Sequence, residues 1–149
     1  MKMAVEITIP KARINGVLIQ EMVSGGTEVI IGVNNDPQFG PTVMFGLGGI
    51  FVEILKDVSL RVAPLGLEDA LEMIRKIKGF KILSGARGHA KADIPAIADT
   101  LVRVSRMALD LESHLAELDI NPLLVLPEGR GVRVADALVI RRSPSVSSQ

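Results

Sequence analysis

From Gly16 to Val62 the chain leaves little room for a helix, because short apolar runs follow one another with only turn-forming residues between them. The run from Gly16 to Val23 reads as a strand by its length and β-branching. Ser24-Gly25-Gly26 turns the chain, and Glu28 to Val33 is a second strand that should form an antiparallel hairpin with the first. A loop dense in turn formers, Asn34 to Pro41, leads to a third strand, Thr42 to Phe45. Ile50 to Ile54 and Val58 to Val62 are further strands, and Met3 to Ile9 is a short, weakly alternating one ended by Pro10. Parallel strands need a crossover of a dozen residues or more, usually a helix. Six short strands in about sixty residues therefore predict an antiparallel or mixed sheet.

The pattern then changes period. Leu67, Leu71, Ile74 and Ile77 recur at helical spacing, with acids at the start and Arg75, Lys76 and Lys78 at the end, as the helix dipole favours. Gly79 is the stop. Ser84 to His89 is a loop. Asp93 is an N-cap with Pro95 in the first turn of a second helix running to about Leu111. Its stripe of Ile97, Leu101, Val104, Ala108 and Leu111 belongs to the core and is not a cofactor box. The predicted fold class is α+β, a largely antiparallel sheet with two helices on one face. Residues 1–142 are expected to form one subdomain, and residues 143–149, rich in Ser, a disordered tail.

The chemistry concentrates near the end. If Glu117 to Leu123 is a strand, Leu118 and Ile120 point into a core, while Glu117, Asp119 and Asn121 line the opposite face. The turn formers of Pro127 to Gly131 send the chain back, so that Asp136 lands opposite Asn121 to within one residue of register. Hard oxygen donors of this kind suit Mg²⁺, which takes one or two carboxylates plus substrate phosphates. The competing reading is the solvated outer face of an ordinary hairpin. The functional reading is favoured by an Asn beside the acids, in a stretch that breaks its own alternation at Pro122. Gly46-Leu47-Gly48-Gly49 allows close backbone approach, but it lacks the Lys-Ser/Thr of a Walker A loop and the spacing of a dinucleotide fingerprint. By spacing alone it is a tight turn.

Composition removes several classes. Lys+Arg and Asp+Glu both number 17, so there is no basic field for nucleic acid, and with 4 Phe and no Trp or Tyr there is no platform for base stacking. Without Cys there is no disulfide framework or thiolate metal site. No apolar run reaches membrane-spanning length and no leader is visible, so no membrane partner is expected and a cytoplasmic setting fits.

Four stretches carry a family resemblance: Gly16 to Val23, Asp36 to Pro41, Phe45 to Glu53 and Glu117 to Leu123. Together they resemble the ATP-grasp domain of ADP-forming acyl-CoA synthetases, including the β subunit of the acetyl-CoA enzyme and, more distantly, succinyl-CoA synthetase. The resemblance runs from about residue 14 to about residue 141. It implies a nucleotide-binding portion of an enzyme that links acyl-CoA to ATP formation through an acyl phosphate and a phosphohistidine, with Mg²⁺ and ATP or ADP as ligands. By the same resemblance, Glu21, Met22 and Val23 lie along the adenine and Glu28 lies near the nucleotide sugar. Asn121 and Asp136 match Mg²⁺ ligands, with Asp119 the acid two residues earlier. Arg87-Gly88 resembles a basic pair, and one of Glu53, Lys56 and Arg61 faces the phosphates. No catalytic residue is assigned.

The chain resembles the C-terminal two-thirds of such a β subunit. An N-terminal ATP-grasp lobe and a CoA-binding α subunit or domain are therefore expected partners, in a homo- or hetero-oligomer. The chain by itself is expected to be inactive. With its partners it would be an acid–CoA ligase (ADP-forming). The alternative is a non-catalytic ATP-grasp remnant acting as a subunit-assembly module.

Overall fold

The computed structural model describes residues 15–49, 56–88 and 90–142. Among the described residues three strands come first: β1 (Thr27–Asp36), β2 (Gly40–Leu47) and β3 (Val58–Val62). Helix α1 (Leu67–Lys76), the single turn α2 (Phe80–Leu83), a 3₁₀ turn (Ala86–Gly88) and α3 (Ile94–Asp110) follow. The chain closes with β4 (Leu115–Val125), β5 (Val132–Val134) and β6 (Ala137–Arg141). One sheet in the order β3-β2-β1-β4 holds them, with β5 and β6 end to end along the far edge of β4, and every pairing is antiparallel.

Alternation decides which face is buried. In register, Ile31 stands between Phe45 and Ile120, and Val33 between Val43 and Leu118. These side chains share one face, and Ala70, Met73, Ile74, Ile97, Leu101 and Ala108 of the helices cover it to form the core. The predicted α+β class, with its antiparallel sheet and helices on one face, is therefore the observed one.

Buried polar groups lock the layers. Asn35 Nδ2 donates to the carbonyls of Glu112 (2.7 Å) and Leu115 (3.1 Å), tying β1 to the entry of β4. Asp57 accepts from the N–H groups of Lys78 (2.8 Å) and Gly79 (2.7 Å). Asp93 caps α3 through the Ala96 N–H (3.2 Å) and also accepts from the Gly131 N–H (2.8 Å), which pins the last turn to the helix. Each group satisfies backbone donors or acceptors that burial would otherwise leave unpaired.

Several expectations need correction. Residues 15–24 belong to no helix or strand, so the predicted strand from Gly16 to Val23 and its hairpin do not form. The reason is topological: β2 and β4 occupy both edges of β1, and no third strand can pair there. Helix α1 buries Ala70, Met73 and Ile74, while Leu67 is 56% exposed. Ile74 and Ile77 of the predicted stripe are buried and Leu71 packs against the core, so only Leu67, at the first turn, departs from it. Ion pairs join Arg61 on β3 to Asp69 and Glu72 of the helix. Leu111 falls in the turn after α3 and is exposed. Gly79 lies beyond the end of α1, and a Cβ there would come within 2.2 Å of Leu47 Cδ1. The strands expected at Met3–Ile9 and Ile50–Ile54, together with the tail at 143–149, lie outside the described residues. Among the described residues no helix is long and apolar enough to cross a membrane.

Candidate functional site

Among the described residues, the second face of the sheet carries no helix. On β1 the alternation that buries Val29, Ile31 and Val33 turns Ile30, Gly32, Asn34 and Asp36 the other way. On β4 it turns Glu117, Asp119 and Asn121 to the same side. These residues floor a groove of about 620 Å³, with Leu60 of β3 on one flank and Leu138 and Ile140 of β6 on the other. The floor is polar along β4 and at the end of β1, and apolar at Ile30 and Met44.

A bulge shapes the middle of β4. Val29 pairs with Leu123 and Ile31 with Ile120, so Asn121 and Pro122 together stand opposite Ile30. Pro122 has no N–H for the ladder, and an interruption at this point is its natural consequence. The strand entering β6 closes around the bulge. The Asn121 N–H donates to the Asp136 carbonyl at 3.1 Å, and the Ala135 N–H donates to the Pro122 carbonyl at 3.1 Å. Asp136 therefore sits opposite Asn121, where the turn chemistry predicted it. Its Oδ1 accepts the N–H of Ala137 at 2.8 Å.

The structure separates the remaining candidates. Glu117, Asp119 and Asn121 lie on the groove floor, and Asp136 lies just outside its lining, beside Asn121. Glu28 shares their face but stands opposite Leu124, four residues along β1 from Gly32. That is roughly 13 Å at strand spacing. There it meets the glycine turn. The Gly48 N–H donates to the Glu28 carbonyl at 2.8 Å, and a Cβ on Gly48 would lie 3.0 Å from Glu28 Cβ and 3.2 Å from its carbonyl. The glycines therefore serve close approach as well as a turn, with φ +63° at Gly49. Glu21, Met22 and Val23 lie in the irregular segment before β1 and are not brought to the groove. Met22 is 91% exposed, so it is not a core residue of the described structure.

Arg61 is turned to the helix side by its ion pairs with Asp69 and Glu72, which removes it as a phosphate ligand on the groove face. Glu53 lies outside the described residues. Sequence reading missed Asn34 and Asp36, which it placed in a loop. The alternation of β1 continues through both, and Asp36 Oδ1 closes the following turn by accepting from the N–H groups of Gln38 (2.7 Å) and Phe39 (3.0 Å). Extending the period-2 pattern past Val33 would have found them. Among the described residues no three His, Cys, Asp or Glu side chains converge closely enough to hold an ion by themselves. A cation here would have to rely on the Asn121 amide and on oxygens of its ligand.

With this geometry in place, similarity to known proteins is informative. A family model of the ATP-grasp domain matches residues 1–140. Acetate–CoA ligase (ADP-forming) II subunit β of Pyrococcus furiosus is 54% identical over 131 residues, 88% of this chain and 56% of its own. The subunit β of isoform I from the same organism is 60% identical over 114 residues, 76% of this chain and 49% of its own. The chain thus spans about half the length of these curated relatives. Among solved structures, a dinucleotide-forming acetyl-coenzyme A synthetase 1 of Ca. Korarchaeum cryptofilum, in complex with coenzyme A and Mg-AMPPCP, is 51% identical. Its TM-score is 0.77, covering 83% of this chain and 56% of that one.

Proposed function

This chain belongs to the ATP-grasp family, and from that premise we propose that its open sheet face is one wall of the nucleotide site of an ADP-forming acyl-CoA (acetyl-CoA) synthetase. The observation that carries the reading is the row Glu117, Asp119 and Asn121 along the groove floor, with Asp136 held opposite by the Asn121 N–H. The donor set is oxygen only, with few protein carboxylates, and it fits Mg²⁺ shared with phosphates. Asp119, Asn121 and Asp136 would hold the ion. A bound ion would supply positive charge that offsets the charge developing in phosphoryl transfer. The Mg-AMPPCP complex of a 51% identical relative supports both ligands.

The other residues take roles at the rim. Glu28, at the glycine-turn end, would accept hydrogen bonds from ribose hydroxyls. The backbone of Glu21 to Val23 would read the base edge, with Met22 as an apolar wall. An exposed thioether at that position gains a function only when a second lobe and the nucleotide cover it. The relatives are β subunits, and the reading therefore includes an N-terminal ATP-grasp lobe, a CoA-binding α subunit or domain and a hetero-oligomeric, cytoplasmic enzyme.

A thermal-shift titration with ATP, with and without Mg²⁺ and in parallel with GTP, tests the reading. A ligand that binds only the folded state must raise Tm. The expected result is a Mg²⁺-dependent rise that Asp136→Ala abolishes while leaving the ligand-free Tm close to wild type. A rise that persists in Asp136→Ala would remove that residue from the metal site. No rise, even with the second lobe restored, would favour a subunit-assembly module.

A further inference from the structure

Gly32 stands in the middle of β1 with ordinary extended backbone, and it is not among the glycines at positive φ. A glycine in a strand interior weakens the strand and has no conformational need to be there. Such a residue marks a place where something must approach the backbone closely. Its register partners are Met44 on β2 and Asp119 on β4, and all three lie on the groove floor. A Cβ on Gly32 would lie 3.0 Å from Met44 Cε and 3.6 Å from Met44 Cβ, and 3.8 Å from the Leu118 carbonyl. The end of the Met44 side chain therefore rests in the space that a side chain at position 32 would take.

We propose that Gly32 and Met44 together set the depth of the groove beside Asp119, and so decide how closely the metal-bound phosphate part of a nucleotide can approach the sheet. This rests on the reading of Asp119 as part of a cation site. Met44 lies low only because Gly32 gives it room. Its unbranched thioether adapts readily, so any side chain at position 32 lifts it into the groove and leaves the strand intact. The pair is a specificity determinant that presents no polar group of its own. It limits the ligand by the height of the floor.

The test is calorimetric titration of Mg-AMPPCP into this protein together with the second ATP-grasp lobe, alongside melting curves. The variants are Gly32→Ala, Met44→Ala and the double variant. Gly32→Ala is expected to melt no lower than wild type, because alanine suits a strand better and its only tight neighbour is a flexible methyl. Its affinity should nevertheless fall about tenfold or more, the scale of one extra methylene in a fitted pocket. The double variant should recover affinity, since removing Met44 lowers the floor again. Wild-type affinity in Gly32→Ala overturns the inference and leaves the cation-site reading standing. Weak binding that persists in the double variant also overturns it, because the defect then lies in the strand and not in Met44. A wild-type protein that fails to bind Mg-AMPPCP overturns the cation-site reading, and this inference with it.

Discussion

Asp93 illustrates how much a single carboxylate can fix. Its two oxygens serve two different elements, the first turn of α3 and the N–H of Gly131. Losing an N-cap of this kind costs about 1 kcal/mol, and leaving a partly buried N–H without its acceptor costs about 1–3 kcal/mol more. Asp93→Ala should therefore lower stability by about 2–4 kcal/mol in denaturant unfolding. It should also loosen the Pro127–Gly131 turn, on which the position of Asp136 depends. A loss confined to a few tenths of a kcal/mol would mean that the turn holds itself through its own bonds, such as Arg130 N–H to the Pro127 carbonyl at 3.0 Å. Asn35 has a similar role at the other end of the groove. Its amide holds the carbonyls that precede Glu117, while its neighbours Asn34 and Asp36 face the groove.

Helix α1 is oriented by charge as well as by its apolar stripe. The Asp69 carboxylate accepts the Gly66 N–H at 3.0 Å and pairs with Arg61, which also pairs with Glu72 at 2.7 Å. The Gly66 N–H holds the Asp69 carboxyl below its ordinary value; burial opposes this, and Arg61 adds to the lowering. Hydrogen bonds to Glu72 and then Asp69 raise the Arg61 guanidinium further above its ordinary value. A depressed carboxylate stabilises the fold above its unfolded pKa, and that stability is lost as pH falls through the folded pKa. The Tm advantage of wild type over Asp69→Asn should thus be full at neutral pH and shrink as pH drops below the ordinary carboxylate range. An advantage that persists unchanged in acid would place the benefit in shape and not in charge. Because these groups are solvent-accessible, added salt should also reduce the advantage.

For the whole molecule, the telling feature is the contrast between two faces of one sheet. One is closed by α1 and α3. The other bears a polar row on β4 and exposed apolar residues at both flanks, Leu60 and Val62 on β3 and Leu138 and Ile140 on β6. A face of this composition is built to be covered, which agrees with β-subunit relatives of which this chain matches only about half. Self-association of the isolated chain is the expected consequence. Sedimentation should give an average mass that rises with concentration, and that falls back when the second lobe is supplied. A single monomer species at all concentrations would mean that the flanks are too dispersed to act as a surface.

The sequence by itself determined the elements and the polar row. Helical and period-2 spacing are local properties, so α3, its Asp93 cap, β3 and the outward set Glu117, Asp119 and Asn121 could be read directly. The turn at Pro127–Gly131 brought Asp136 to Asn121 because a short turn leaves little freedom of register. Only the tertiary structure decided what depended on distant partners. The stretch from Gly16 to Val23 has a strand's composition, yet it forms no ladder because both edges of β1 are taken. Asn34 and Asp36 joined the groove because β2 extends far enough to hold β1 straight through them. Glu28 was placed four residues along β1 from Gly32, the partner of Asp119, or roughly 13 Å at strand spacing. The depth of the groove beside Asp119 depends on Met44 of a neighbouring strand lying over Gly32. Spacing along a chain is written locally, whereas edges, register and the height of a floor exist only once separate segments have packed.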